Sequence, residues 1–145
     1  MVLVMLRAGL RVGSVVALDA EDLVGDQLVL CRLKGGGDGA VFLPREVVEV
    51  LRVHVGERRT GPMFEGGRGE RMTTRQVARR LAEHAERAGI EGVHPHALRH
   101  SFGMAVYERT GDVLLTARAL CHRSVASTQV YARPAEAQLR AAVGA

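Results

Sequence analysis

Apolar positions dominate the first eighteen residues, with a break at Arg7-Ala8-Gly9-Leu10-Arg11. Val2 to Leu6 and Val15 to Leu18 flank that break, and Gly9 and Gly13 predict a helix end, a turn and a second helix start. The apolar period then shortens. Leu23-Val24 and Gln27 to Leu33 read as strands around a Gly25-Asp26 turn, and Ala40 to Leu43 as a third strand stopped by Pro44. Between the second and third, Gly35-Gly36-Gly37-Asp38-Gly39 predicts a mobile loop. Neither a helix start nor Gly-Lys-Ser/Thr follows it, which excludes a phosphate-cradling nucleotide loop.

A helical period returns at Glu46 to Val55, with Val47, Val48, Val50, Leu51 and Val55 apolar. Gly56 to Gly69 is polar and glycine-rich apart from Pro62-Met63-Phe64, and predicts a surface connection that tolerates insertion. Thr73 or Thr74 is placed to cap a helix running to Ala88 and ended by Gly89. Its apolar face is Val77, Ala78, Leu81, Ala85 and Ala88; Arg75, Arg79, Arg80 and Arg87 share the other face with Glu83 and Glu86. That face reads two ways: as a solvated surface laced by i,i+4 ion pairs, or as an arginine-rich helix start turned to DNA. His96 to Arg109 is the next helix, with Leu98, Phe102, Ala105 and Val106 as its core stripe, and Gly111 breaks it. Leu114 to Leu120 follows, then a helix capped by Ser124 or Ser127 with Tyr131 near its end, and a last short helix from Ala135 to Val143. The pattern predicts one mainly α (α+β) domain over residues 1–145, with a small three-stranded antiparallel sheet.

Composition narrows the picture. Aromatic residues make up only 3% of the chain, so its core must be built from Leu, Val and Ala. The formal charge of +4 and a pI near 9.8 suit a polyanionic partner. Among twenty basic residues Lys34 is the only lysine, and lysine, unlike arginine, can release a proton at a suitable site. Arginine-rich coding would leave a stray lysine just as well. Cys31 and Cys121 lack CxxC spacing and read as reduced thiols of a cytoplasmic protein. No apolar run reaches the roughly 20 residues of a membrane span.

Chemistry-bearing side chains concentrate between His94 and Tyr131. His96 and Arg99 stand three apart, neighbours on one helix face, where an arginine fork can hold a phosphate oxygen while a histidine moves a proton. An ordinary surface pair fits the same spacing. His94, His96, His100, His122 and Cys121 offer metal-ligand chemistry, yet only His96 and His100 have a helical i,i+4 spacing and no matching distant pair completes a zinc frame. Tyr131 is either a packing residue or a nucleophile, and a phenol with pKa near 10 needs surrounding positive charge to attack a phosphodiester.

Taken together, His96-Ala97-Leu98-Arg99-His100-Ser101-Phe102, then Leu120-Cys121-His122-Arg123-Ser124, then Thr128-Gln129-Val130-Tyr131 with the tyrosine nine positions beyond His122, resemble the signature of the tyrosine recombinases, the phage-integrase family. Gly9-Leu10-Arg11-Val12 resembles the segment carrying that family's first catalytic arginine, and Lys34-Gly35-Gly36 through Pro44 its hairpin lysine motif. The resemblance implies a helical catalytic domain and site-specific recombination without metal or cofactor. Tyr131 would form a 3′-phosphotyrosyl link, Arg11, Arg99 and His122 would stabilise the phosphorane, Lys34 would protonate the leaving 5′-oxygen, and His96 would assist the tyrosine. It further implies double-stranded DNA as partner, met by Thr74, Arg75 and Arg79, and self-association into a tetrameric synapse through a last helix carrying Leu139 and Val143. A cytoplasmic, nucleoid-associated protein follows, lacking the first helix and the N-terminal DNA clamp of its relatives. An idle DNA-binding remnant and a type IB topoisomerase-like relaxing enzyme are the alternatives. This chain departs from the pattern at Ser14, where an acid is usual, at Cys121, where glycine is usual, and at Gly36 and Gly37, where a second base is usual.

Overall fold

The structure, a computed structural model, describes residues 1–33, 37–122 and 127–128. Helix α1 (Val2–Ala8) ends at Gly9, whose left-handed backbone (φ 63°) turns the chain into α2 (Val12–Ala17). Gly9 is required for a second reason. A Cβ there would sit 2.3 Å from Phe102 Cδ1, so only glycine lets α1 approach the later helix that carries that ring.

Strands β1 (Leu23–Val24), β2 (Gln27–Leu33) and β3 (Gly37–Phe42) form an antiparallel sheet in sequence order. Leu23 pairs with Leu28 and Val24 with Gln27, which places Gly25-Asp26 at the turn as expected. The period of two decides burial: Leu28, Leu30 and Val41 face the core, whereas Phe42 is 71% exposed. The glycine-rich stretch differs from expectation. Gly37 to Gly39 is paired strand, with Leu33 opposite Gly37 and Leu30 opposite Gly39 across a register shift. Ladder hydrogen bonds offset the poor strand preference of glycine there.

Helix α3 (Arg45–Val55) buries Val47, Val48 and Leu51 but leaves Val50 half-exposed. The connection after it is not a surface loop at its centre. Met63, Phe64 and Met72 are core residues, and the backbone of Met63 donates to Leu18 at 2.9 Å. Two arginines fasten the segment through carbonyls. Arg58 donates to Pro62 at 2.9 Å, and Arg71 to Val16 and Leu18 at 2.8 and 3.0 Å. Polar, glycine-rich flanks hid a short apolar anchor, because three residues are too few to show a period.

Helix α4 (Thr74–Arg87) begins with a capping box: the Gln76 amide donates to Thr73 Oγ1 at 3.2 Å, and the Thr73 amide to Gln76 Oε1 at 2.8 Å. Val77, Leu81 and Ala85 are its buried face; Ala78 and Ala88 lie outside it. Helix α5 (Pro95–Thr110) is capped by His94, whose Nδ1 accepts from the Ala97 amide at 3.2 Å. Gly111 ends it, and Asp112 caps α6 (Val113–Ala119) by accepting from the Leu114 and Leu115 amides. The core joins α1, α2, the sheet, α3, the 63–72 anchor and α4 in one cluster of Leu, Val and Met with one Ala and one Phe. Among the described residues no helix is long and apolar enough to cross a membrane.

Candidate phosphoryl-transfer site

The expected core stripe of α5 is met at Val106, with Leu98 packed against the core, but not at Ala105. Its buried residues are Arg99, Gly103 and Val106, while Leu98 and Phe102 are half-buried and Ala105 is exposed. Arg99 is only 4% exposed. A guanidinium out of water demands acceptors, and it has them: Nη1 donates to the Gly9 carbonyl at 2.5 Å and Nη2 to the Leu120 carbonyl at 2.6 Å. Those carbonyls stand two positions ahead of Arg11 and His122.

Arg11 caps the start of α2 with extended backbone and an exposed side chain. The ion pairs among the described residues are made by Arg7, Arg45, Arg58, Arg71 and Arg79, and Arg11 takes part in none. Ser14, three residues on, is half-buried. His122 follows the end of α6. The Cys121 amide donates to Arg118 and the His122 amide to Ala117, both at 2.9 Å, the paired bonds of a Schellman cap. That cap wants a left-handed residue at Cys121, and Cys121 (φ 48°) is the only non-glycine with positive φ among the described residues. Here lies the reason glycine suits the position.

His122 Nδ1 and Thr128 Oγ1 share a hydrogen bond of 2.8 Å, and Thr128 is fully buried. Partial burial, then the positive charges of Arg99 and Arg11 and the His96 ring, push the His122 pKa down to about 4. The ring is therefore neutral at pH 7. Burial raises the Cys121 thiol pKa, and Arg99 and Arg11 oppose that rise. The same two arginines thus act on adjacent residues of one turn. His96 is exposed on the first turn of α5, its ring stacked 6.4 Å from that of His94. Arg11 at the start of α2 and His96 and Arg99 on α5 thus all act on His122 at the end of α6.

Thr74, Arg75 and Arg79 are exposed on α4, and Arg75 and Arg79 line a surface depression of about 590 Å³ with Thr73, Gln76 and Ala78. Arg79 Nε is 3.7 Å from Glu83, a loose pair that leaves its side chain 70% exposed. Among the described residues no group of three or more His, Cys, Asp or Glu could hold a metal ion. Lys34, Tyr131, Leu139 and Val143 lie outside the described residues. Sequence reasoning assigned no role to Thr128 or to the Gly9 and Leu120 carbonyls. A backbone carbonyl carries no sequence signal, and Thr128 has no helical spacing to His122.

Residues 1–138 match the profile of the Phage integrase family. The chain belongs to that family. Tyrosine recombinase XerC of Chromobacterium violaceum is 38% identical over 129 residues, covering 85% of this chain and 43% of that protein. XerD of Mycobacterium tuberculosis is 36% identical over 134 residues, 85% of this chain and 43% of that protein. This integrase-family chain therefore spans about half the length of the curated relatives it matches. The crystal structure of XerA recombinase superposes with a TM-score of 0.81 at 28% identity, over 97% of this chain and 54% of that one. XerH bound to its difH substrate in a pre-cleavage complex superposes at 0.84 over 99% of this chain and 44% of that one; at 23% identity that likeness speaks for the fold alone.

Proposed function

We propose that this chain cleaves and rejoins double-stranded DNA in site-specific recombination. The observation that carries the reading is the convergence of Arg11, His96, Arg99 and His122 in a member of the phage integrase family. Tyr131 is the nucleophile: its Oη forms a bond to phosphorus while the bond from phosphorus to the 5′-oxygen breaks. Lys34 gives the departing oxygen its proton, and His96 assists proton transfer at the tyrosine. Arg11 and Arg99 neutralise the non-bridging oxygens as charge builds in the phosphorane. A neutral His122 whose Nδ1 accepts from Thr128 carries its proton on Nε2, where it donates to the same oxygens. Two arginines and a neutral donor supply this stabilisation with no cofactor. The phosphotyrosyl ester retains the energy of the broken bond, and a 5′-hydroxyl reverses the step to rejoin a strand.

The helix α4 face with Thr74, Arg75 and Arg79 suits the DNA backbone, and XerH, of the same fold, is known in complex with its DNA substrate. Self-association into a tetrameric synapse through Leu139 and Val143, and residence with the nucleoid in the cytoplasm, complete the proposal. A nicked duplex carrying a recombination site of the relatives' kind tests it. The nick lets the 5′ fragment diffuse away, so wild-type protein accumulates a covalent protein–DNA adduct and Tyr131→Phe forms none. The left-handed Cys121 favours one other reading, an idle DNA-binding remnant, which gives salt-dependent binding and no adduct with either protein.

A further inference from the structure

Among the residues whose burial is described Arg99 is the only buried charged side chain, and the Gly9 and Leu120 carbonyls that it binds belong to helix ends. Gly9 is the C-cap of α1 and Leu120 the C-cap of α6. The last carbonyls of a helix have no partner within it and carry the negative end of its dipole, so a cation with several donors suits two such ends at once. From those ends the chain runs directly to Arg11 and to His122. The Schellman bonds make the second link stiff, and the left-handed Gly9 pressed on Phe102 makes the first link stiff.

We propose that Arg99, besides its part at the phosphate, positions this site: its guanidinium clamps the C-terminal ends of α1 and α6 together and so sets the separation of Arg11 and His122 before DNA arrives. The inference rests on the proposed function only in treating those residues as one site. Neutralising a phosphate needs one positive charge, which lysine also has. The clamp needs two donors at the spacing of a guanidinium fork, which lysine lacks.

The test is made on DNA-free protein, so its failure and the failure of the cleavage reading are separable. Amide hydrogen exchange and the NMR titration of the His122 ring are compared in wild type, Arg99→Lys, Gly9→Ala and the surface control Arg45→Lys. Among the described residues, Arg99 and His96 on α5 and Arg11 at the start of α2 are the titratable and charged groups that bear on that ring. In Arg99→Lys, amides at 10–12 and 121–122 should exchange at least tenfold faster while those of α4 are unchanged. The His122 titration should move upward although the positive charge is retained. Gly9→Ala keeps Arg99 and pushes the α1 end off Phe102, so it should shift the His122 resonances from the far side of the clamp. Should Arg99→Lys not fold, the Gly9→Ala shift decides. Exchange within twofold of wild type in Arg99→Lys, or an unmoved His122 in Gly9→Ala, would overturn the clamp.

Discussion

Arg99 on α5 and Arg79 on α4 are the same residue type on amphipathic helices, and the fold treats them oppositely. Arg99 is 4% exposed with two carbonyls within 2.6 Å, whereas the Arg79 side chain is 70% exposed beside one carboxylate at 3.7 Å. Burial gives the first charge a structural task in addition to its proposed part at the phosphate. Its bonds cannot be replaced by water, so losing it leaves two helix ends without donors. Exposure makes the second charge available, since an arginine whose partner is mostly solvent gives up little to meet a phosphate. Periodicity could not separate them, because both look like a cation on an otherwise alternating helix.

The sharpest way to break this contrast is to delete each charge. Arg99→Ala should cost about 3 kcal/mol in urea unfolding, from two uncapped carbonyls and the vacated volume. Gly9→Ala attacks the same junction by overpacking and should cost roughly 2 kcal/mol, since its Cβ meets Phe102 and its backbone is left-handed. Cys121→Gly goes the other way. Removing a left-handed side chain at the Schellman position should stabilise by about 1 kcal/mol, read in the same unfolding assay.

The pH dependence follows from His122. Its folded pKa of about 4 lies below the usual 6.5, so between those values the unfolded chain binds more protons. Stability should therefore be full above pH 6.5 and fall as the pH drops toward 4. The drop should be of order 1 kcal/mol after solvent screening of a partly exposed ring. His122→Gln should flatten that part of the profile in thermal melts across pH. Arg75→Ala and Arg79→Ala should be the mildest in stability, within about 0.5 kcal/mol. Each should weaken DNA binding and reduce the salt slope of the affinity by about one, measured by titration at several salt concentrations.

Most of the fold was legible because its signals are local. The Gly25-Asp26 hairpin, the Thr73 cap, the Gly89 and Gly111 stops and the strand period all act over a few residues. The Met63-Phe64 anchor and the pairing of Gly37 with Leu33 were not legible, because tertiary contact decides them. The candidate site divides in the same way. His96, Arg99 and His122 stood out as residue types, and the resemblance added Arg11. Their arrangement did not stand out, since it depends on the carbonyls of Gly9 and Leu120. Cys121 was visible as a departure, yet its cost became clear only with the left-handed backbone.

The central claim is that the cationic cluster serves Tyr131 as nucleophile. Tryptic mapping of the covalent adduct from a nicked duplex tests it most directly, because cleavage after Arg123 and Arg140 (the Arg133–Pro134 bond resists trypsin) separates Tyr131 from Tyr107, which lies between Arg99 and Arg109. The account predicts the phosphonucleotide mass on peptide 124–140. The mass on peptide 100–109, or no adduct from a protein that binds the same duplex, would contradict it.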